Sequence, residues 1–440
     1  MDCELKIIFW LCLILVVYTY VGYGVLLWLI LKVKRLFWHR EAELVLPLNE
    51  ELLPPVTLMI CAYNEEKVIE EKMENIRQLD YPASKLCVMW VTDGSNDRSN
   101  ELLSQYPEVT LVFSPERRGK AAAMQHGLRE NKNDLVVFTD ANTMLNADAI
   151  REIVRQFMRE NVSCVSGEKR VAARSVVGEA SKLCGNEVVG HAIPDVPSPT
   201  RSLSQRDKTT AAKLESFTHY ETAAAEGEGL YWKYESTLKQ MDSDLYSAMG
   251  AAGELFAVRM EHYREAPSNA LLDDFMMSML IVKDGHRIAY TSKAYAVEYG
   301  SANMKEESKR KRRIAAGGLQ SIWWLRALMN PFRYPKVAFQ FVSHRVLRWS
   351  ITPVALVALI PLNIALVALH AGTAYTIIGV AQLLFYLMAL AGWLLNKAGH
   401  PNKLLNVPVY FLFMNLNVFL GIRYLMTHNS SGTWEKATRG

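Results

Sequence analysis

Cysteine is scarce in this 440-residue sequence: Cys3, Cys12, Cys61, Cys87, Cys164 and Cys184 are the six present, and none shows C-x-x-C spacing. That excludes a cysteine-built metal site or disulfide framework, and Cys61 and Cys87, inside apolar strand-like runs, read as small buried hydrophobes in a reducing compartment. There is no G-x-G-x-x-G after the first strand-like run and no G-x-x-x-x-G-K-[ST], so neither a Rossmann dinucleotide site nor a P-loop is supported. Excess charge of one sign is also small. The net charge is +4, with basic residues gathered beside apolar runs and in "KRKRR" (309–313), which implies no nucleic-acid partner. The apolar segments show none of the internal repetition usual in transporters.

What is plentiful is apolar sequence, half of the chain. It is concentrated in three runs free of Asp, Glu, Lys and Arg: Ile7 to Leu31, Trp349 to Asn396 and Leu404 to Ile422. About 20 residues cross a bilayer, so these runs are expected to hold one, two and one spanning helices. The first exceeds the ~7 to 15 apolar residues of a signal peptide and ends in "KVKR", which predicts a retained anchor over 1–35. The second breaks at "HAGT" (370–373) into a hairpin, Ser350 to Leu369 and Tyr375 to Leu395, within a membrane region at 349–427. Lys32, Lys34 and Arg35 outweigh Lys6, and Arg345 and Arg348 precede the second run. The positive-inside bias therefore predicts a multi-pass cell-membrane protein with residues 32–348 in the cytoplasm. If the third run spans, the tail at 428–440 lies outside, against the bias of Lys436 and Arg439; a re-entrant third run avoids this.

Between the anchors, apolar strand-like runs alternate with amphipathic stretches: "VTLMIC", "LCVMWVT", "VTLVF" and "LVVFT" are separated by helical patterns. This predicts an α/β domain over 50–318 with a mainly parallel central sheet. Polar residues follow each run, as "AYNEE", "DGSND", "RRGK" and "DAN". Four such loops at one sheet edge point to a ligand crevice beyond the strand ends. Asp140 and Asn142, two residues apart on one loop, offer a carboxylate and an amide oxygen to one Mg²⁺ or Mn²⁺ that would bridge to substrate phosphates. Residues 172–225, rich in Pro, Ser, Thr and charge, read as a loop insertion. The stretch at 319–348, with "WWLRAL", reads as an interfacial amphipathic segment. Gly250 and Gly253 of "GAAG" permit close backbone approach to a ligand. Asp273 and Asp274 open an amphipathic helix, where one acid can cap while its neighbour turns about 100° away into the crevice. "KRKRR" either meets phosphates or forms a patch for anionic lipid.

Taken in order, "ICAYNEE", "TDGSND", "RRGKAAAMQHG", "FTDAN", "GAAGELFAVR", "LLDDF" and "KRKRRIAAG" resemble the membrane-integrated family 2 glycosyltransferases, which include cellulose, hyaluronan, chitin and poly-N-acetylglucosamine synthases. The resemblance covers about 54–320 apart from the insertion. It implies a GT-A nucleotide-sugar-binding fold, a divalent cation, and inverting transfer from a UDP-sugar to a growing glycan. Tyr63, Glu65 and Asp93 would hold the uridine, Lys120 would lie near the diphosphate, Asp140 would bind the metal and Asp274 would be the general base. Gly250, Gly253, Asp273 and Ile314 would border the acceptor. Arg310, Arg313 and Ile314 stand at the Q, R and W positions of the family's Q-x-x-R-W. Two departures are Asn142, where the second Asp of D-x-D is usual, and Ile314, where an acceptor-lining tryptophan is usual. Two alternatives stay open: single transfer to a lipid or polyprenyl-phosphate acceptor, and a non-catalytic nucleotide-sugar-binding membrane protein. The sequence leaves the sugar, the linkage and any partner subunit open.

Overall fold

The computed structural model describes residues 2–37, 50–172, 232–299, 304–398, 400 and 402–427. The expected insertion, save its first residue, lies outside the described residues, as do Cys184 and the tail.

The four strand-like runs form β1 (Val56–Ala62), β2 (Leu86–Asp93), β3 (Val109–Ser114) and β4 (Leu135–Asp140). Their order in the sheet is β3-β2-β1-β4, with every neighbour parallel. All of Leu135–Thr139 is buried, the mark of a strand covered on both faces. Side chains alternate across the sheet: Leu58 and Ile60 join one core, Met59 the other. Beyond β4 the sheet is mixed. β7 (Leu255–Arg259) runs antiparallel to β4 and to β6 (Val162–Ala172), β6 pairs in parallel with β8 (Arg287–Tyr299), and the short β5 (Thr143–Leu145) closes the edge. The register sets Cys61 opposite Asp140 and Asp93 opposite Ser114, so the carboxyl ends of β1, β2 and β4 share one rim.

Four helices are long and apolar enough to cross a membrane: Asp2–Phe37, Ile351–Ala368, Thr373–Lys397 and Lys403–Thr427. The hairpin tip forms where "HAGT" places it, with φ of 50° at His370 and 140° at Gly372. The third apolar run is one unbroken helix of 25 residues, ~37 Å at 1.5 Å per residue, and the chain does not double back within it. The first helix has 36 residues, ~54 Å, against a hydrocarbon core of ~30 Å. Its surplus is packed on protein: Tyr23 and Leu27 meet Leu238 of a helix at 232–245, and Lys34 donates to the Asp244 carbonyl at 2.8 Å. The Lys32–Arg35 end therefore lies against the sheet domain.

The expected interfacial segment at 319–348 needs correction. A single helix, Met304–Trp324, runs through the boundary at 318, and Pro335–Phe341 continues through a π turn into Leu347–Trp349. Trp323 and Phe332 are exposed, but Gln340, His344, Arg345 and Arg348 are buried against helix 232–245. Polar atoms bonded inside the protein cannot serve the lipid surface. Met304–Trp324 also packs along Lys403–Thr427, closely enough that a Cβ on Gly421 would stand 2.7 Å from Ala315.

Candidate active site

A cavity of about 430 Å³ opens at the carboxyl rim of β1, β2 and β4. One wall is built by loops. Both oxygens of Asp93 accept backbone bonds, from the Arg118 N–H at 2.8 Å and the Gly119 N–H at 2.7 Å. This folds the "RRGK" loop back, with Gly119 at a φ of 95° that favours glycine, and starts helix Lys120–Glu130 at the cavity. Lys120 Nζ lies 2.5 Å from Asp140 Oδ1. Burial works against its ammonium, but Asp140, Asp273 and Asp274 outweigh that and hold its pKa above the ordinary lysine range. Tyr63 and Glu65 line the same wall, and the Arg117 guanidinium lies 4.0 Å over the Tyr63 ring. Arg117 has no special place in the sequence motifs, and the loop turned by Asp93 brings it there.

Asp140 and Asn142 both face the cavity. Among the described residues no group of three His, Cys, Asp or Glu could hold an ion, so an all-protein cage is absent. One carboxylate and one amide oxygen fit a Mg²⁺ or Mn²⁺ that takes its remaining ligands from phosphates and water.

The acid pair comes to the cavity from a separate element. Helix Asp273–Lys283 starts with both carboxylates lining the cavity, and neither Leu272 at the N-cap nor Asp273 makes a side-chain cap bond. Of the two acids it is Asp274 whose Oδ1 accepts a first-turn backbone bond, from the Phe275 N–H at 2.8 Å, while Asp273 Oδ2 is buried with no hydrogen-bond partner among the described residues. Gly253 makes room for Asp274, since a Cβ there would be 2.7 Å from Asp274 Oδ2 and 3.5 Å from Lys120 Nζ. Burial, then the neighbouring Asp273 carboxylate, push Asp274 up to about 6, against the pull of Lys120. Gly250 does not line the cavity. At φ of 98° it turns the chain against the Phe275 ring, which would lie 2.2 Å from an added Cβ. Gly250→Ala should thus destabilise the fold by ~2 kcal/mol or more, through strain and overpacking. Thermal unfolding of the solubilised protein checks this; an unchanged midpoint would show that the turn tolerates a side chain.

The basic run lies on the cavity side of its helix, with Arg310, Lys311, Arg313 and Ile314 among the lining residues. Its charges are already engaged. Arg310 lies 3.2 Å from Glu254, Lys311 lies 3.2 Å from Glu307, and Arg313 donates to the Leu271 carbonyl at 3.1 Å. Lys169 bridges Glu254 and Glu298 beneath them. Burial opposes the ionised Glu254, yet Lys169 and Arg310 keep its carboxyl well below the usual range. The aromatic surface of the cavity comes from Trp349 and Trp232. Trp349 packs on Gly318 and lies 5.1 Å from the Phe275 ring, a position hidden in sequence by its place at the head of an apolar run.

The family model described as glycosyltransferase-like family 2 matches residues 54–317, more than half of the chain. The chain belongs to that family. It is a glycosyltransferase of GT-A fold, and its match spans every wall of the cavity except the membrane-side residues. Poly-β-1,6-N-acetyl-D-glucosamine synthase of Staphylococcus aureus is 28% identical over 134 residues, 30% of this chain and 32% of that protein. β-Monoglucosyldiacylglycerol synthase of Synechocystis is 31% identical over 129 residues, 28% of this chain and 27% of that protein. The chain thus matches about a third of the length of these curated relatives. A mannosyltransferase of Pyrobaculum calidifontis, solved with GDP-Man and Mn²⁺, shares the fold with a TM-score of 0.61 at 21% identity, over 96% of this chain and 99% of that one.

Proposed function

We propose that this family 2 enzyme transfers a sugar, with inversion, from a UDP-sugar to an acceptor at the cytoplasmic face of the membrane. The observation that carries this reading is the position of Asp274, a half-buried carboxyl that shares one cavity with Lys120 and Asp140 and that desolvation and Asp273 raise to about 6. A base poised close to working pH suits removal of a hydroxyl proton. In the step proposed, Asp274 takes the proton of the acceptor hydroxyl as its oxygen bonds to the anomeric carbon. The bond from that carbon to the diphosphate breaks, and the nucleoside diphosphate leaves with the electron pair. Tyr63, Glu65 and Arg117 border the nucleoside end, Asp93 holds their loop in place, and Lys120 faces the diphosphate. A divalent cation at Asp140 and Asn142, like the Mn²⁺ of the P. calidifontis structure, would supply charge neutralisation for the leaving group.

The resemblance and the S. aureus relative favour a growing glycan as acceptor, and the Trp232 and Trp349 rings offer flat faces for one. The structure lends more to the second reading, one sugar added to a lipid. Trp349 and Met414 form cavity wall from the membrane side, and Ile314 stands where the glycan synthases have tryptophan. Incubation of solubilised enzyme with a panel of UDP-sugars, GDP-mannose included, should release nucleoside diphosphate only with UDP-sugars. Release from none of them would end the transferase reading. Product sizing should give one discrete lipid species, whereas a ladder would favour the polymer.

Orientation has its own test. Phe332 is 97% exposed. In a Cys3→Ser background, Phe332→Cys should resist a membrane-impermeant maleimide in intact cells and react after permeabilisation. Labelling of intact cells would invert the proposed topology.

A further inference from the structure

Helix 232–245 presents Trp232, Glu235, Lys239 and Asp242 at i, i+3, i+7 and i+10, along one face. The two acids of that face are fully engaged. Asp242 accepts from the Tyr23 hydroxyl at 2.5 Å and bonds His344 Nδ1 at 2.5 Å, and Glu235 accepts from Arg345 at 2.6 Å and Arg348 at 2.7 Å. Lys239 is not. It is 5% exposed, lines the cavity, and makes no hydrogen bond or ion pair with any described residue. Two rings lie near it, with Nζ 5.7 Å from the Trp232 ring centroid and 6.0 Å from that of Tyr290. Arg345 spends Nε on the Met249 carbonyl and Nη1 on Glu235, and its Nη2 bonds no described residue. A buried ammonium without a counter-ion is costly, and rings return only a fraction of what water gave it. Burial, then the Arg345 charge, accordingly drive the Lys239 pKa down.

The cavity lining thus offers two cationic donors here, Lys239 Nζ and Arg345 Nη2, whose chemistry suits an anion. The donor's diphosphate is the wrong candidate, because it is assigned above to Lys120 and Asp140, and neither is among the charged groups that act most on Lys239, which are Arg345, Glu235, Glu254 and Asp274. That is the side of the base, where the acceptor must lie. Trp349, just before the apolar helix Ile351–Ala368, stands on this side, with the Arg345 guanidinium 5.2 Å from its ring centroid.

Building on the transferase reading above, we infer that the acceptor is a phosphate-bearing membrane lipid, its phosphate received by Lys239 and Arg345 Nη2 beside Asp274. The phosphate is recognised and not consumed. A hydroxyl elsewhere on the same headgroup loses its proton to Asp274 and takes the sugar.

The test uses full-length enzyme reconstituted with total lipid extract from the cells that make it, and a panel of labelled UDP- and GDP-sugars. Label should enter a lipid retained by anion exchange whose phosphorus is still present. Lys239→Met should raise the acceptor KM on the order of 10- to 100-fold, the worth of a charge-assisted hydrogen bond, with donor KM unchanged. Lys239→Arg should keep most acceptor use. Without acceptor, Lys239→Met should unfold at a higher temperature than wild type, because an unpaired buried charge is gone; a merely structural lysine would show the reverse. Label in a neutral lipid or a polymer, an unchanged acceptor KM, or a raised donor KM would overturn the assignment. Nucleotide-sugar turnover with no label in anionic lipid would fail this inference alone; no turnover with any donor would fail the transferase reading beneath it.

Discussion

Asp274→Asn should slow sugar transfer by about 10²- to 10⁴-fold while calorimetric affinity for the nucleoside diphosphate changes by less than about twofold. The separation follows from what the side chain touches. Asp274 lies by Gly253, whereas the nucleoside end is proposed to be lined by Tyr63, Glu65 and Arg117. Only the charged form of Asp274 can accept a proton, and burial together with Asp273 has moved its pKa up to about 6. The rate should therefore climb as pH rises through about 6 and level off above it. Asp273→Asn removes a like charge from the neighbourhood, so it should move that limb to lower pH. Because Asp273 faces the cavity and makes no cap, its replacement should register in the pH profile more than in stability. Wild-type turnover in Asp274→Asn, or a dead Asp273→Asn beside it, would shift the base by one residue.

A second large effect is expected at Asp140. Asp140→Ala should lower kcat/KM by about 10³-fold or more and abolish metal-dependent nucleotide binding, and chelation of divalent ions should do the same to the wild type. The loss has two physical sources. The carboxylate that would hold the cation is removed, and Lys120 loses the partner 2.5 Å away. Its half-buried ammonium is left to Asp273 and Asp274, which must stabilise the ionised base and lower its basicity. Asn142→Ala should be milder, about tenfold, since an amide oxygen contributes no charge. Calorimetry with UDP in the presence and absence of Mn²⁺ separates these cases. If Asp140→Ala binds and turns over like the wild type, the residue only shapes the turn after β4.

How far these residues could be read from sequence depended on how local their signals are. Each of β1 to β4 is a short apolar run that stops at a polar loop, and a parallel sheet necessarily collects such loops at one rim, so Asp93, Lys120 and Asp140 could be placed together before any coordinates. Charge-free runs of adequate length likewise gave the four helices long and apolar enough to cross a membrane. What stayed hidden were partnerships across long stretches of chain. Glu235 and Asp242 on helix 232–245 are matched by His344, Arg345 and Arg348, a hundred residues on, and a charged helix face is by itself more often solvated. Trp349 was assigned to the bilayer because no charge follows it for many residues. Composition reports where a helix can be inserted, but not which of its first residues turns back towards a domain. Gly250 had a signal, two glycines spaced by alanines, but spacing does not distinguish a ligand contact from a tight turn against Phe275.

The joint between Tyr23, Asp242 and His344, together with Trp349 and Met414 in the cavity wall, bears on how this protein can be handled. A fragment trimmed to the family match would lose the first helix, the segment from His344 to Arg348 and part of the cavity lining at once. Two buried acids, Glu235 and Asp242, would then face solvent on a helix shaped to be covered. Such a fragment is a poor candidate for soluble expression, for crystallisation or for inhibitor screening. Detergent or a lipid disc that preserves the helices is accordingly part of the minimal preparation. By the same token, grafting this sheet domain onto the membrane helices of a relative would fail unless the three basic residues and Tyr23 travelled with it.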